Sequence, residues 1–380
     1  MAIVFLRTSR MRVPFPASFI PNAEVYVSEQ PQGAPQVELT ARQKAVSELL
    51  NQGRIDQARD ELASMIADEE PTLEPFHERM VSGRLLLARL HALLGEPDAA
   101  EQVLAPLQSM PEDHPGRVGV FLNAQILVAA LCRFRGRLDD AFALTGATLE
   151  SLDAISGDPV NPDSFRALVH MIEIARDAQQ YQQALDLCGK GIERFQGKVG
   201  EAHAHLVLLA GSVFLAAEQY DQAREHFESI LQQAIEQAGE THELVVRARQ
   251  FLAQLESDLD HEPQAIEHLE SCLKALANGG DPELVVEIQQ RHLQLRLPEI
   301  PAEQGLTSLE ELRTLAERIH GPRSTKVAEI WASLGYQHRA QGRGVEARRC
   351  YESALGIWRS WREPGDIKIA TLEETLAQLG

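Results

Sequence analysis

The chain is 380 residues long, enough for two or three ordinary domains or one extended array, and 44% of it is hydrophobic but only 5% aromatic. Its formal charge of −20 repels phosphates and argues against a nucleic-acid partner unless basic residues cluster locally. No apolar run approaches the ~20 residues of a membrane helix, so membrane insertion is not expected.

In chain order, the first stretch stands apart. Met1 to Ala23 holds no acidic residue but carries Arg7, Arg10 and Arg12, and Pro14, Pro16 and Pro21 forbid a continuous helix. Residues 1–36 are predicted to be an extended or disordered arm. An organelle transit peptide is also Arg-rich and acid-poor, but the prolines weaken that alternative to a cytoplasmic protein. A basic arm beside an acidic array could also lie in it as an internal ligand; a tail without fixed structure is the simpler expectation.

From residue 37 a small-residue slot recurs. "GRIDQA" ends in Ala58, "GEPDAA" in Ala100 and "GRLDDA" in Ala141. "YQQA" gives Ala184, "YDQA" Ala223, "EPQA" Ala265 and "GRGVEA" Ala347. The steps are 42, 41, 43, 39, 42 and 82 residues, the last being twice 41. "AEQGLTSLEELRTLAERI" fills that gap, with Ser308 in the small-residue place.

A fixed period of this size means stacked supersecondary units. Apolar residues recur three and four apart on both sides of each slot, as in "HLVLLAGSVFLA" before Ala223 and "REHFESILQQAI" after it. Each unit is therefore an antiparallel helix pair, reversed at a Gly or polar pair. Alanine at the crossing lets the two backbones approach, and a large side chain would overpack it. The seventh unit holds Pro298 and Pro301, which predicts an irregular joint. The expected organisation is a solenoid over residues 37–363 and a capping helix over 364–380. In that cap Ile367, Ile369, Leu372, Leu376 and Leu379 cover the last pair, Glu373 and Glu374 face water, and Trp358 and Trp361 pack beneath.

Trp331, Leu334, Gly335 and His338, followed by Ala347 and Tyr351, resemble the tetratricopeptide pattern W-x2-L-G-x2-Y … A-x3-F; so do Ala210, Gly211, Phe214, Ala223 and Phe227. The longer period and the loops "EDHPGRV", "GETHELV", "GDPELVV" and "HGPRSTKVA" resemble the kinesin-light-chain form of the repeat. The resemblance implies an all-α, right-handed α-α superhelix of about eight helix pairs plus the C-terminal cap.

No catalytic constellation stands out. "GRG" at 342–344 lacks the lysine and spacing of a phosphate loop. His203 and His205 are two residues apart and point in different directions on a helix, and His261, His268 and His292 are scattered. Cys132, Cys188, Cys272 and Cys350 form no C-x-x-C pair and read as reduced core thiols. No catalytic residue, metal ligand or cofactor is assigned.

In tetratricopeptide proteins the first helices line a concave groove that takes a peptide or helix. With the slot counted as twentieth, the second, fifth, ninth and twelfth places face inward. They give Arg89, Arg133, Arg166, Glu173, Arg176, His205, Ser212, Arg247, Gln250, Gln254, Tyr336 and Arg339. Arginine forks suit carboxylates, so the expected partner is a protein or peptide with an acidic segment. The alternative use of these arginines is pairing with acids of neighbouring repeats. The function expected is a non-catalytic scaffold or adaptor; its rival is a sensory module that takes a short peptide or small ligand and changes conformation. Homo-oligomerisation stays open.

Overall fold

The computed structural model describes residues 41–52, 54–109, 117–156, 162–195, 202–277, 279, 281–362 and 364–379. The arm expected over residues 1–36 lies outside them. Among the described residues every regular element is a helix, and there are seventeen. The first four are α1 (Ala41–Asn51), α2 (Ile55–Glu69), α3 (Glu78–Leu93) and α4 (Pro97–Gln108). Then come α5 (Arg117–Arg135), α6 (Leu138–Ser156), α7 (Pro162–Asp177), α8 (Tyr181–Phe195), α9 (Ala202–Ala216) and α10 (Tyr220–Ala238). The rest are α11 (Glu243–Asp258), α12 (Glu262–Leu276), α13 (Pro282–Arg296), α14 (Ala302–His320), α15 (Thr325–Ala340), α16 (Gly344–Trp361) and α17 (Ile367–Gln378). They make eight successive helix pairs and a final helix packed on α16.

The described residues form two compact bodies. One is contiguous, residues 137–312; the other unites the chain up to residue 136 with the chain from 313 onward. In the contiguous body each helix from α6 to α13 packs on the next, and the core runs through Leu168, Ile172, Phe195 and Leu206 to Phe227, Ile230 and Leu252. Each such side chain withdrawn from water contributes roughly 1.5–3 kcal/mol. In the two-segment body Val46, Leu62, Met65, Leu87 and Leu90 form an equivalent core under α1–α3.

The spaced alanines are what this packing is built on. Ala58, Ala100, Ala141, Ala184, Ala223, Ala265 and Ala347 all have 0% exposure. Each is the fourth residue of the second helix of its pair, and its amide donates to the carbonyl four residues back, as Ala223 does to Gln219 at 3.1 Å. That register corrects one assignment. In the seventh pair the fourth residue of α14 is Gly305, whose amide donates to the Pro301 carbonyl at 3.0 Å, while Ser308 is half-buried. Gly305 is 40 residues after Ala265 and 42 before Ala347, a better fit to the period than Ser308.

The seventh joint is irregular, as the prolines predict. Six other pairs reverse through a residue in the left-handed region: Gly95, Gly136, Gln179, Glu218, Asp260 and Gly342. Between α13 and α14 the cap residue Leu297 is right-handed (φ −51°), and the connection is lengthened to residues 297–301. Elsewhere the recurring glycine of the first helix is required by space. A Cβ on Gly211 would stand 2.5 Å from the Phe227 ring, and one on Gly335 2.8 Å from the Tyr351 ring.

At the C-terminus α17 buries Ile369 (4% exposed) and Leu372 (1%), while Glu373 and Glu374 face water. Ile367 is 73% exposed and does not cover the last pair. Two residues turn a helix by ~200°, so a face that buries Ile369 turns Ile367 outward. Trp358 lies beneath the cap, with the Lys368 ammonium 4.2 Å from its ring centre. Trp361 does not. Its indole Nε1 donates to the Arg323 carbonyl at 2.8 Å and its ring lies 5.9 Å from that of Phe134.

Candidate functional site

Eight of the twelve inward residues belong to the contiguous body and sit on three consecutive first helices. Arg166, Glu173 and Arg176 are on α7, His205 and Ser212 on α9, and Arg247, Gln250 and Gln254 on α11. These helices touch directly, α7 on α9 and α9 on α11. The other four lie in the two-segment body: Arg89 on α3, Arg133 on α5, and Tyr336 and Arg339 on α15.

Places in the repeat differ in access. The twelfth-place arginines Arg133 and Arg176 are buried, 9% and 5% exposed. Arg176 donates to Ser212 Oγ at 3.1 Å and to Asp177 Oδ1 at 3.3 Å, so it braces α7 against α9. The Ser212 hydroxyl in turn donates to the Leu209 carbonyl at 2.7 Å. Gln250 is buried too, at 4%. In the contiguous body the second-place arginines are the accessible ones; in the two-segment body the twelfth-place Arg339 is exposed. The Arg166 side chain is 58% exposed and pairs with Asp163 at 2.5 Å. The Arg247 side chain is 39% exposed and donates from Nε to Glu243 at 2.7 Å. His205, between them in the row, is half-buried with its ring 6.5 Å from that of Phe165. Gln254 donates to Asp258, Glu173 stands 3.7 Å from His170, and Arg339 reaches Gln378 at 3.3 Å.

Counting the repeat missed the carboxylates one turn before this row. Asp163 and Glu243 precede Arg166 and Arg247, and Glu283 occupies the equivalent turn of α13. The signal was available as an acid three or four residues ahead of each second-place residue. Burial works against the Glu243 charge, but the Arg247 hydrogen bond, together with the charges of Arg247, His205 and His242, holds its carboxyl below the usual range. Glu283 goes the other way. Burial, with Asp281 and Glu287 adding, pushes its carboxyl up to about 8 against the opposing pull of Arg247, and its Oε1 has no hydrogen-bond partner. The row is therefore an alternation of arginine forks and acids in which Glu243 is held towards its charged form and Glu283 towards its protonated one.

The chemistry of such a row is recognition by hydrogen bonds and charge. Among the described residues no group of three His, Cys, Asp or Glu is arranged to hold a metal ion. The four thiols are free and buried, and burial raises those of Cys188 and Cys272 to about 12, far from a reactive thiolate. No helix among the described residues is long and apolar enough to cross a membrane.

Helix pairs in fixed register, reversed at left-handed turns and crossing at a small residue, define an α-solenoid of repeats. Residues 202–278, the span of α9 to α12, match the family model of the tetratricopeptide repeat. Yeast Tom70 is similar in structure at 11% identity, with 99% of this chain and 72% of that one covered and a TM-score of 0.62. A tetratricopeptide repeat protein from Parabacteroides merdae is similar at 15% identity over 79% of this chain and 98% of that one, TM-score 0.45. A Rap protein complexed with Competence and Sporulation Factor is similar at 8% identity over 89% and 96%, TM-score 0.49. No curated protein sequence matches significantly. The fold is a tetratricopeptide-repeat solenoid.

Proposed function

We propose that the chain is a non-catalytic scaffold or adaptor that binds a partner protein or peptide across the first helices α7, α9 and α11. One observation carries this reading: three touching helices present Arg166, His205 and Arg247 in a single row, with the arginines exposed. The partner segment is acidic. Its carboxylates compete with Asp163 and Glu243 for the arginine forks, and Glu283 with its proton donates a further hydrogen bond. Free buried thiols fit a reducing compartment, and the cytoplasm is the place of action.

The surface arginines are the ones to change, because Arg176 and Arg133 are built into the packing. Affinity purification with mass spectrometry from the native host identifies the partner, and titration of its acidic segment measures the contact. Arg166→Glu with Arg247→Glu is expected to weaken binding at least tenfold, with helicity unchanged and a reduced dependence on salt. Unchanged affinity of the double variant would remove this surface as the binding site.

A further inference from the structure

The two-segment body contains a seam that the repeat pattern does not announce. Residues near 93–96 and 134–136, at the ends of α3 and α5, meet residues 320–323 and 360–362. These are turn-to-turn contacts between stretches more than two hundred residues apart. The fit is tight. A Cβ on Gly321 (φ +85°) would stand 2.5 Å from the Leu93 carbonyl oxygen. One on Gly95 (φ +69°) would stand 2.9 Å from Arg323 Cβ and 3.1 Å from Ser360 Oγ. One on Gly136 (φ +83°) would stand 3.1 Å from the Arg362 guanidinium. The Phe134–Trp361 ring contact and the Trp361 hydrogen bond to the Arg323 carbonyl close the other side.

The seam also adjoins buried polar groups that closure leaves unsatisfied. His320, the last residue of α14, is 5% exposed and neither ring nitrogen has a hydrogen-bond partner. Lys326, 8% exposed, acts on it with a like charge and finds Glu329 only at 3.7 Å. Separation of the seam next to Gly321 gives the adjoining His320 access to water, whereas separation inside a helix pair exposes a continuous apolar core.

We infer that these four turns form a clasp that opens without unfolding of the repeats, giving the protein an open and a closed form. Close packing favours the closed form, and the unsatisfied imidazole and buried ammonium limit how far. A ligand that prefers either form shifts the balance by its differential affinity. The clasp does not rest on the binding surface proposed above.

The test is a spin-label distance in the full chain, between Gln102→Cys and Pro322→Cys, both at exposed positions. The native thiols are buried. Three variants are compared: Gly95→Gln, Gly136→Gln and Gly342→Gln. All put a side chain at a left-handed turn residue, but a Cβ at 342 meets nothing within 4 Å. The unsubstituted chain is expected to give a short distance, joined by a longer one in low urea before helicity falls. The first two variants should show the long distance with helicity retained, and the third should behave as the unsubstituted chain. A short distance that persists until the helices unfold overturns the clasp, as does a Gly95 or Gly136 variant that matches the Gly342 one. Should the glutamine variants not fold, the urea series on the unsubstituted chain decides alone.

Discussion

The two bodies use the same turn and fill it differently. In the contiguous body the left-handed residue between paired helices is Gln179, Glu218 or Asp260, with φ of 62°, 61° and 62°. In the two-segment body it is Gly95, Gly136 or Gly342, with φ of 69°, 83° and 74°. A side chain in this region costs roughly 1–2 kcal/mol, and the contiguous body tolerates that three times. Conformation alone therefore does not demand glycine. Space does at Gly95 and Gly136, where the other end of the chain arrives. One body closes through neighbours, as Phe227 does with Phe251, stacked at 5.0 Å and 24 residues apart; the other closes through Phe134 and Trp361, 227 apart.

The largest way to break the contrast is Phe227→Ala. Phe227 is fully buried between the Gly211 backbone and Phe251, and its loss is expected to cost about 3–5 kcal/mol. Solenoids respond locally, so hydrogen exchange should quicken first across α9 to α12. Residues 93–96 and 360–362 should keep their protection. Uniform loss of protection would show that the bodies do not respond separately.

The same contrast explains what the sequence reveals. A crossing that admits only a small residue must recur wherever a pair recurs, so seven alanines mark seven pairs, and Gly335 and Gly211 mark the aromatic seats. The seventh pair was found from the doubled step, but its small residue was misplaced at Ser308, because the lengthened connection at Pro298 and Pro301 shifts the count and a glycine at 305 serves the crossing as well as alanine does. The clasp escaped for a different reason. A contact between residues 93 and 321 is made once and has no period, so Gly321 reads as an ordinary loop glycine and Trp361 as a cap residue. For the proposed binding surface, helical spacing named the helices, but access is set by the neighbouring repeat. Arg176 and Arg166 look alike in sequence, and the first is used as a brace.

The next effect isolates the two-segment body through pH. Burial lowers the His320 value to about 4 from the ordinary 6.5, with Lys326 adding. In the unfolded chain the imidazole takes its proton below about 6.5, while the folded protein refuses it until about 4. The unfolded state then binds more protons, so stability is full above about 6.5 and falls as pH drops towards 4. The difference between the two values is worth on the order of 3 kcal/mol. Carboxylates titrate in the lower part of this window, so the informative quantity is the difference from His320→Leu. That variant leaves no buried imidazole to protonate, and its urea midpoint is expected to fall by correspondingly less between pH 7 and 4. Parallel pH profiles for the two proteins would mean that His320 is hydrated in solution.

The smallest effect returns to the turns. Gln179 is exposed and its φ of 62° suits glycine. Gln179→Gly removes the left-handed strain but gives the unfolded chain more freedom, about 0.5–1 kcal/mol of it. The net expectation is a gain of about 0.5 kcal/mol, visible as a modest rise in the urea midpoint. Gly342→Ala runs the same balance backwards, because a Cβ there meets open space, and should lose a similar amount. Gly95→Ala pays the same strain and adds a Cβ 2.9 Å from that of Arg323. It should therefore cost more than Gly342→Ala by whatever the clasp resists. If the two alanine variants lose the same stability, Gly95 is glycine for its backbone angle alone, and the difference between the bodies has no steric origin.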